Sequence, residues 1–268
     1  MDTKTEAPAI QKEIKTPGRL FRMFITLYDV FQFIKRFFKE GFLPPYEGKE
    51  LMKQCYDIGY RSLLLISVTG FITGVVFTKQ SRPSLAEFGA TSWLPSLVGI
   101  ALLRTLAPLL TSLIAAGKVG SSIGAELGSM RVTEQIDAME VSATNPFKFL
   151  VTTRVLAATI TIPILTFYTA LVGMLGSLLN VAMGEGTSAK LFFQASLESI
   201  TFLDITASTI KAVIFGFTIG IVGCYQGYNS SKGTEGVGKA ANASVVIGMF
   251  LIFIEEVISV QFFGLFRT

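Results

Sequence analysis

The run WLPSLVGIALLRTLAPLLTSLIAA, residues 93–116, holds a single charged side chain in 24 residues. A helix rises 1.5 Å per residue, so this stretch would be about 36 Å long as a helix. That length exceeds the ~30 Å hydrocarbon core of a bilayer. The stretch therefore predicts a membrane-spanning helix.

The remaining sequence has the same character. Half of the 268 residues are hydrophobic and only 16% are charged, which is too apolar for an ordinary soluble domain. Comparable apolar stretches occur at 62–78, 155–183, 205–228 and 243–266. Pro163 interrupts the stretch at 155–183. Its 29 residues cannot hold two crossings and a turn, so one long kinked helix is expected there. The sequence predicts an all-α integral membrane protein with five transmembrane helices.

Composition excludes several classes of enzyme. With no histidine in the chain, Ser-His-Asp and Cys-His nucleophilic sites and histidine-ligated zinc are ruled out. Cys55 and Cys224 lie far apart and form no CxxC motif, so we interpret both as reduced packing residues. The sequence thus indicates no catalytic residue, no metal site and no need for a nucleic-acid partner.

The distribution of lysine and arginine predicts the orientation in the membrane. Cationic residues are retained on the cytoplasmic side during insertion. Residues 1–61 hold eleven, 117–154 hold four and 229–242 hold two, whereas 79–92 hold two, 184–204 one and the stretch after the last span one. The N-terminus is therefore expected in the cytoplasm and the C-terminus in the periplasm.

The first 61 residues precede the predicted five-span domain at 62–268. Residues 1–18 are polar and predict a cytoplasmic tail without a cleavable signal peptide. Within 19–61, a Phe-rich segment at 19–39 has polar side chains at every third or fourth position, which predicts an interfacial amphipathic helix in the headgroup plane. The alternative, a sixth crossing, would bury Asp29 and Gln32. A polar lead-in helix at 48–60 should follow.

The connection at 117–150 has two unlike halves. In the first, Gly120, Gly124 and Gly128 recur every four residues, so a helix would offer one smooth face to a neighbouring backbone. A flexible glycine loop is the alternative. In the second, TEQIDAM at 133–139 predicts a short amphipathic helix that Asn145-Pro146 would end. Such a helix, held between two spans, could dock on a separate motor subunit and act as a cytoplasmic coupling helix.

The run AGKVGSSIGAELGSMRVTEQIDAM at 116–139 resembles the hallmark segment of the MlaE/YrbE permease family. KAVIFG at 211–216, CYQGY at 224–228 and GTEGVGKA at 233–240 are similar to later motifs of that family. The resemblance runs from about residue 50 to the end. Where the family usually has Arg-Glu-Leu-Gly-Pro, this chain has Thr105 in place of the glutamate.

The resemblance implies a permease subunit of an ABC-type complex in the bacterial inner membrane. Such a subunit would work as a homodimer and move phospholipid between membranes. ATP and Mg would bind to a separate cytoplasmic ATPase subunit, and a periplasmic MCE-domain protein would extend the lipid path. The residues expected to couple to the ATPase are Arg131, Glu134, Gln135, Asp137 and Met139.

The GTEGVGKA run also approaches a phosphate-binding GxxxxGK[ST] loop. Ala240 lacks the hydroxyl that would hold magnesium, and the run follows an apolar span rather than a strand. It is therefore predicted to be a cytoplasmic turn between the last two spans, and no ATP site is expected in it.

Two charges should lie near the bilayer midplane. Arg104 and Glu255 fall about halfway along their spans, and each would cost about 3 kcal/mol unpaired in hydrocarbon. They should either pair with each other, which we favour, or line a polar cavity. Lys211 lies nearer the external end and could reach the headgroups or contact a lipid phosphate. Glu256 points about 100° away from Glu255 and has no predicted position.

These charges leave two other functions open. A secondary transporter could use Arg104 and Glu255 for ion coupling, and a membrane enzyme would be limited to Glu255 and Glu256 as acid or base. Close helix contacts are expected at Gly70 and Gly74 and at Gly216 and Gly220.

Overall fold

The computed structural model describes residues 19–41, 43–44, 46–185 and 188–265. The predicted polar tail at 1–18 lies outside this range. The described residues form helices and contain no strand. The α-helices are α1 (Arg19–Gly41), α2 (Gly48–Glu87), α3 (Leu94–Ala101), α4 (Ala107–Ala115), α5 (Ser121–Val132), α6 (Gln135–Val141), α7 (Thr153–Glu185), α8 (Ala189–Glu198), α9 (Phe202–Tyr228) and α10 (Thr234–Leu265).

Five helical segments are long and apolar enough to cross a membrane, as the sequence predicts. Each is longer than its apolar stretch, because polar residues at the ends continue the same helix. The first includes the polar lead-in at 48–60, which is therefore not a separate helix. The five segments are Gly48–Glu87, Thr91–Val132, Phe147–Met183, Phe202–Tyr228 and Thr234–Leu265.

The second and third spans contain wide helical turns. Leu102–Leu106 and Ala116–Gly120 are π-helical, and they join α3, α4 and α5 into one segment. Phe147–Thr152 is π-helical at the start of the third span. Pro163 is accommodated inside α7, so the prediction of one long helix there is confirmed.

Glycines set how closely the spans approach. A methyl group at Gly74 would lie 1.9 Å from the carbonyl oxygen of Gly173, so α2 and α7 touch through their backbones. At Gly216 it would lie 2.7 Å from the Ala158 oxygen, and at Gly220 2.8 Å from a Cα of α7. The predicted close contacts are confirmed, and they serve packing within the chain.

Helix α1 lies against the bundle and is not among the five spanning segments. Phe33 and Phe37 are buried, and the Phe33 ring lies 4.9 Å from that of Phe147. Phe24 and Phe31 on other faces are exposed. The amphipathic helix is present, and its position in the headgroup plane stays a prediction.

Helix α8 was not expected from the sequence. It lies between the third and fourth spans and packs on α3, where Ser196 Oγ donates to the Pro95 carbonyl at 2.9 Å. Gly99 permits this contact, since a methyl group there would be 2.8 Å from the Ser196 carbonyl oxygen. Phe192 of α8 is fully buried. The helix closes the end of the bundle opposite α6.

Candidate functional site

A buried ion pair joins the last two spans. Lys211 Nζ on α9 lies 2.7 Å from Glu256 Oε1 on α10, and the side chains are only 2% and 9% exposed. The expectation that Lys211 reaches toward the headgroups is therefore wrong. Its ammonium points into the bundle because a carboxylate is available there at hydrogen-bond distance.

The same lysine also contacts the second span. Lys211 Nζ donates to the carbonyl oxygen of Arg104 at 3.2 Å. In an α-helix that carbonyl would accept from the residue four positions later, which is Pro108 and has no N–H. Proline thus leaves an acceptor inside the bundle, and the lysine supplies the donor. Three spans meet at this ammonium group.

Glu255 has a different partner from the predicted one. Its Oε1 accepts from Thr218 Oγ1 of α9 at 2.5 Å, and it forms no ion pair with Arg104 in the described structure. The predicted Arg104–Glu255 pair is wrong. Adjacent helical residues point about 100° apart, so only one of the two glutamates can face Lys211. The similar depths of Arg104 and Glu255 along their spans gave no information on the rotation of α10 about its axis. That rotation turns Glu256 rather than Glu255 toward Lys211.

An apolar groove of about 270 Å³ opens between α9 and α10 beside these charges. Its walls are aliphatic and aromatic, and Lys211, Glu255 and Ser259 also line it. Glu255 Oε2 and Ser259 Oγ are buried and have no hydrogen-bond partner among the described residues. The apolar walls are Ile210, Ile214, Phe215, Ile258, Phe262 and Phe263. The groove can therefore take an apolar chain.

The glycine-faced segment is a helix, as predicted, and α10 packs on its smooth face. A methyl group at Gly124 would lie 2.4 Å from Ser244 Oγ and 3.1 Å from the Ala240 carbonyl oxygen. Gly128 and Gly120 face the same neighbour more loosely, since their added methyl groups would lie 3.5 Å from Val237 Cα and 3.8 Å from the Ser244 carbonyl oxygen. The alternative of a flexible glycine loop is excluded.

An ion pair between a buried arginine and an exposed glutamate ties this segment to the third span, and the sequence analysis did not foresee it. Arg154 is 2% exposed, and its Nη2 lies 2.7 Å from Glu126 Oε1. Its Nη1 donates to the Leu150 carbonyl at 2.9 Å. From the sequence, Arg154 counts only as one of the cationic residues that predict the orientation in the membrane. Two features of the sequence could have indicated this pair. Arg154 directly precedes the apolar stretch of the third span, and Glu126 lies in the glycine-rich helix before it.

Helix α6 has the expected amphipathic character. Ile136 is fully buried and Met139 is half-buried, whereas Glu134, Gln135 and Asp137 are exposed. Glu134 precedes the helix in a left-handed conformation with φ of 59°. The Arg131 guanidinium lies 2.5 Å from the Asp137 carboxylate, across the turn that leads into the helix.

Two predicted boundaries near the coupling segment are wrong. Helix α6 ends at Val141, and Ala143, at φ of 59°, turns the chain before Asn145. Asn145 instead starts the next segment, where its Oδ1 accepts from the Lys148 N–H at 3.2 Å. The 233–240 run is mostly not a turn, because α10 begins at Thr234 and only Gly233, at φ of 93°, precedes it.

Five spanning helices, an ion pair buried inside the bundle and an amphipathic helix between two spans define a multi-pass membrane protein with features of a transporter. The chain belongs to the MlaE permease family, because the family model Permease MlaE matches residues 51–262. It is therefore a permease subunit of the ABC-transporter type, and this class works with an ATPase partner.

Similar curated proteins come from bacteria and from plants. A probable ABC transporter permease protein of Rickettsia prowazekii is 35% identical over 91% of this chain and 93% of its own length. A protein of the same description from Synechocystis is 34% identical over 78% and 79%. The chloroplastic protein TRIGALACTOSYLDIACYLGLYCEROL 1 of Arabidopsis thaliana is 31% identical over 80% of this chain and 61% of its own length.

Proposed function

We propose that this permease transports phospholipid between membranes as a homodimer driven by a separate ATPase subunit. It lies in the inner membrane with its N-terminus in the cytoplasm, and a periplasmic MCE-domain protein receives or delivers the lipid. ATP and Mg bind to the ATPase. The charge distribution along the chain supports this orientation.

The groove between α9 and α10 carries the proposal. Its apolar walls suit an acyl chain. Its volume of about 270 Å³ lies below the ~300–1,000 Å³ of common small-molecule sites. A phospholipid with two acyl chains therefore needs more than one such groove.

The open face of α10 supports a second copy. Only 22% of the residues in the most apolar stretch of α10 are buried inside the chain. In the corresponding stretches of the third and fourth spans, 61% of the residues are buried. Phe250, Phe253 and Val257 are all more than half exposed on this helix. Two copies that meet along α10 would join their grooves into one larger cavity.

The contacts around α5 provide a route for force from the ATPase. Helix α6 follows α5 directly, and α5 packs on α10 through Gly124. The Glu126–Arg154 pair links α5 to the third span. Tilting α6 would therefore move both α10 and the third span, and this would change the width of the groove.

Lipid as the cargo also agrees with the name of a relative. The Arabidopsis protein is named for trigalactosyldiacylglycerol, a membrane lipid. The alternative of a secondary transporter has lost its basis, because Arg104 and Glu255 form no pair and the family is of the ABC type.

Reconstitution tests the proposal. The chain would be copurified with its ATPase, placed in liposomes and assayed for ATP-dependent transfer of dansyl-phosphatidylethanolamine. Ile258→Trp fills the groove and should lower transfer about tenfold, equivalent to ~1.4 kcal/mol of lost binding. The matched control is Ile164→Trp, on an exposed site of α7 outside the groove. Equal transfer by both variants, or a complex with one permease copy by native mass spectrometry, would contradict the mechanism.

A further inference from the structure

A second groove lies at the end of the bundle remote from α6, between α2 and α7. Its volume is about 560 Å³, within the range of known ligand sites. Apolar and cationic side chains share its lining. The lining residues are Phe71, Val75, Lys79, Arg82, Pro83, Leu179, Asn180 and Met183. None of them lines the groove between α9 and α10.

The lining changes character along α2. Phe71, Val75 and Lys79 follow one another at intervals of four and so lie on one face of the helix. The eight helical steps from Phe71 to Lys79 correspond to about 12 Å of helix. One leaflet contributes about half of the ~30 Å hydrocarbon core. The apolar part of the groove is thus nearly as deep as one leaflet, and its cationic part lies at the headgroup level.

Two cationic side chains are among the described residues that line the groove. Lys79 is exposed and has no ion pair among the described residues. Arg82 stands one turn further along α2 and is half-buried. The described lining residues include no carboxylate, and Asn180 adds amide donors from α7. The rim is therefore complementary to an anionic phosphate group.

We propose that this groove binds one anionic phospholipid from the leaflet at the α8 end of the bundle. The phosphate lies at Lys79, beside Asn180, and one acyl chain runs along Phe71 and Val75. This site is additional to the transport groove and does not depend on the transported lipid.

Fluorescence quenching by brominated lipids tests this site in the full-length chain. Trp93 is the single tryptophan, so Trp93→Phe with Leu179→Trp places one reporter in the groove. The protein would be reconstituted with dibrominated phosphatidylglycerol or dibrominated phosphatidylcholine. One lysine near a membrane surface favours an anionic lipid by about fivefold. We expect that preference in the reporter protein.

Variants of surface lysines give the decision. Lys79→Gln should reduce the preference to about one, whereas Lys79→Arg should keep it. Lys190→Gln, an exposed lysine of α8 at the same end, should also keep it. An equal effect of Lys190→Gln and Lys79→Gln would show a diffuse surface potential and overturn the site. No preference for phosphatidylglycerol, or no quenching by either lipid because a protein helix fills the groove, would overturn it as well.

Discussion

Separating the buried Lys211–Glu256 pair should destabilise the bundle more than any other single change to its charges. In Lys211→Met, the Glu256 carboxylate stays 9% exposed and loses the ammonium that lies 2.7 Å away. Removing one partner of a buried pair costs about 3–5 kcal/mol, because the remaining charge is left in a low dielectric. Glu256→Leu should cost a similar amount, since it leaves the lysine charge in the same place.

The double variant distinguishes an ion pair from two independent effects. With both charges replaced by apolar groups, the desolvation penalty disappears, and the remaining loss is the donor to the Arg104 carbonyl, about 1 kcal/mol. The coupling energy should therefore exceed ~2 kcal/mol. Unfolding temperatures of the wild type, both single variants and the double variant in lipid nanodiscs would measure it.

Glu255→Gln is the matched control for this cycle. It lies next in the sequence, and its amide oxygen can still accept from Thr218, so the loss of stability should be small. If the two single effects at Lys211 and Glu256 added to within ~0.5 kcal/mol in the double variant, the two groups would not interact and the pair would be rejected.

Two further predictions concern the coupling helix and the glycine contacts. Glu134→Lys with Asp137→Lys should abolish copurification of the ATPase. The thermal unfolding temperature should stay nearly unchanged, because both side chains are exposed. Retained ATPase in the pull-down would show that α6 is not the docking site. Gly74→Ala should lower the free energy of unfolding by about 1–3 kcal/mol, because its methyl group would meet the Gly173 carbonyl. Gly238→Ala, in open space on α10, should raise it by up to ~1 kcal/mol through helix propensity. Thermal unfolding of both variants checks the opposite signs.

The sequence was a good guide to features that depend on local composition. The spans follow from the lengths of the apolar stretches, and the amphipathic character of α6 follows from the spacing of Ile136 and Met139. The glycine interval at Gly120, Gly124 and Gly128 correctly predicted a helix with a close neighbour. Each of these properties is set by residues within a few turns of one another.

The charges inside the bundle could not be assigned in this way. Depth along a span is proportional to residue number, so the sequence predicts how far along their spans Arg104 and Glu255 lie, but not which way they point around the helix axis. Rotation about the helix axis depends on how α9 and α10 pack, and it turns Glu256 rather than Glu255 toward Lys211.

By itself, the sequence determined the five spans, the helical coupling segment and the family resemblance, because hydrophobic length, periodicity and motif spacing are properties of the linear chain. Only the tertiary structure decided which charges pair, that Arg154 reaches Glu126, and that one groove lies between α9 and α10 and another between α2 and α7. Those features arise where side chains from different spans meet. Their geometry is set by the close backbone contacts at Gly74 and Gly216, which no single span contains.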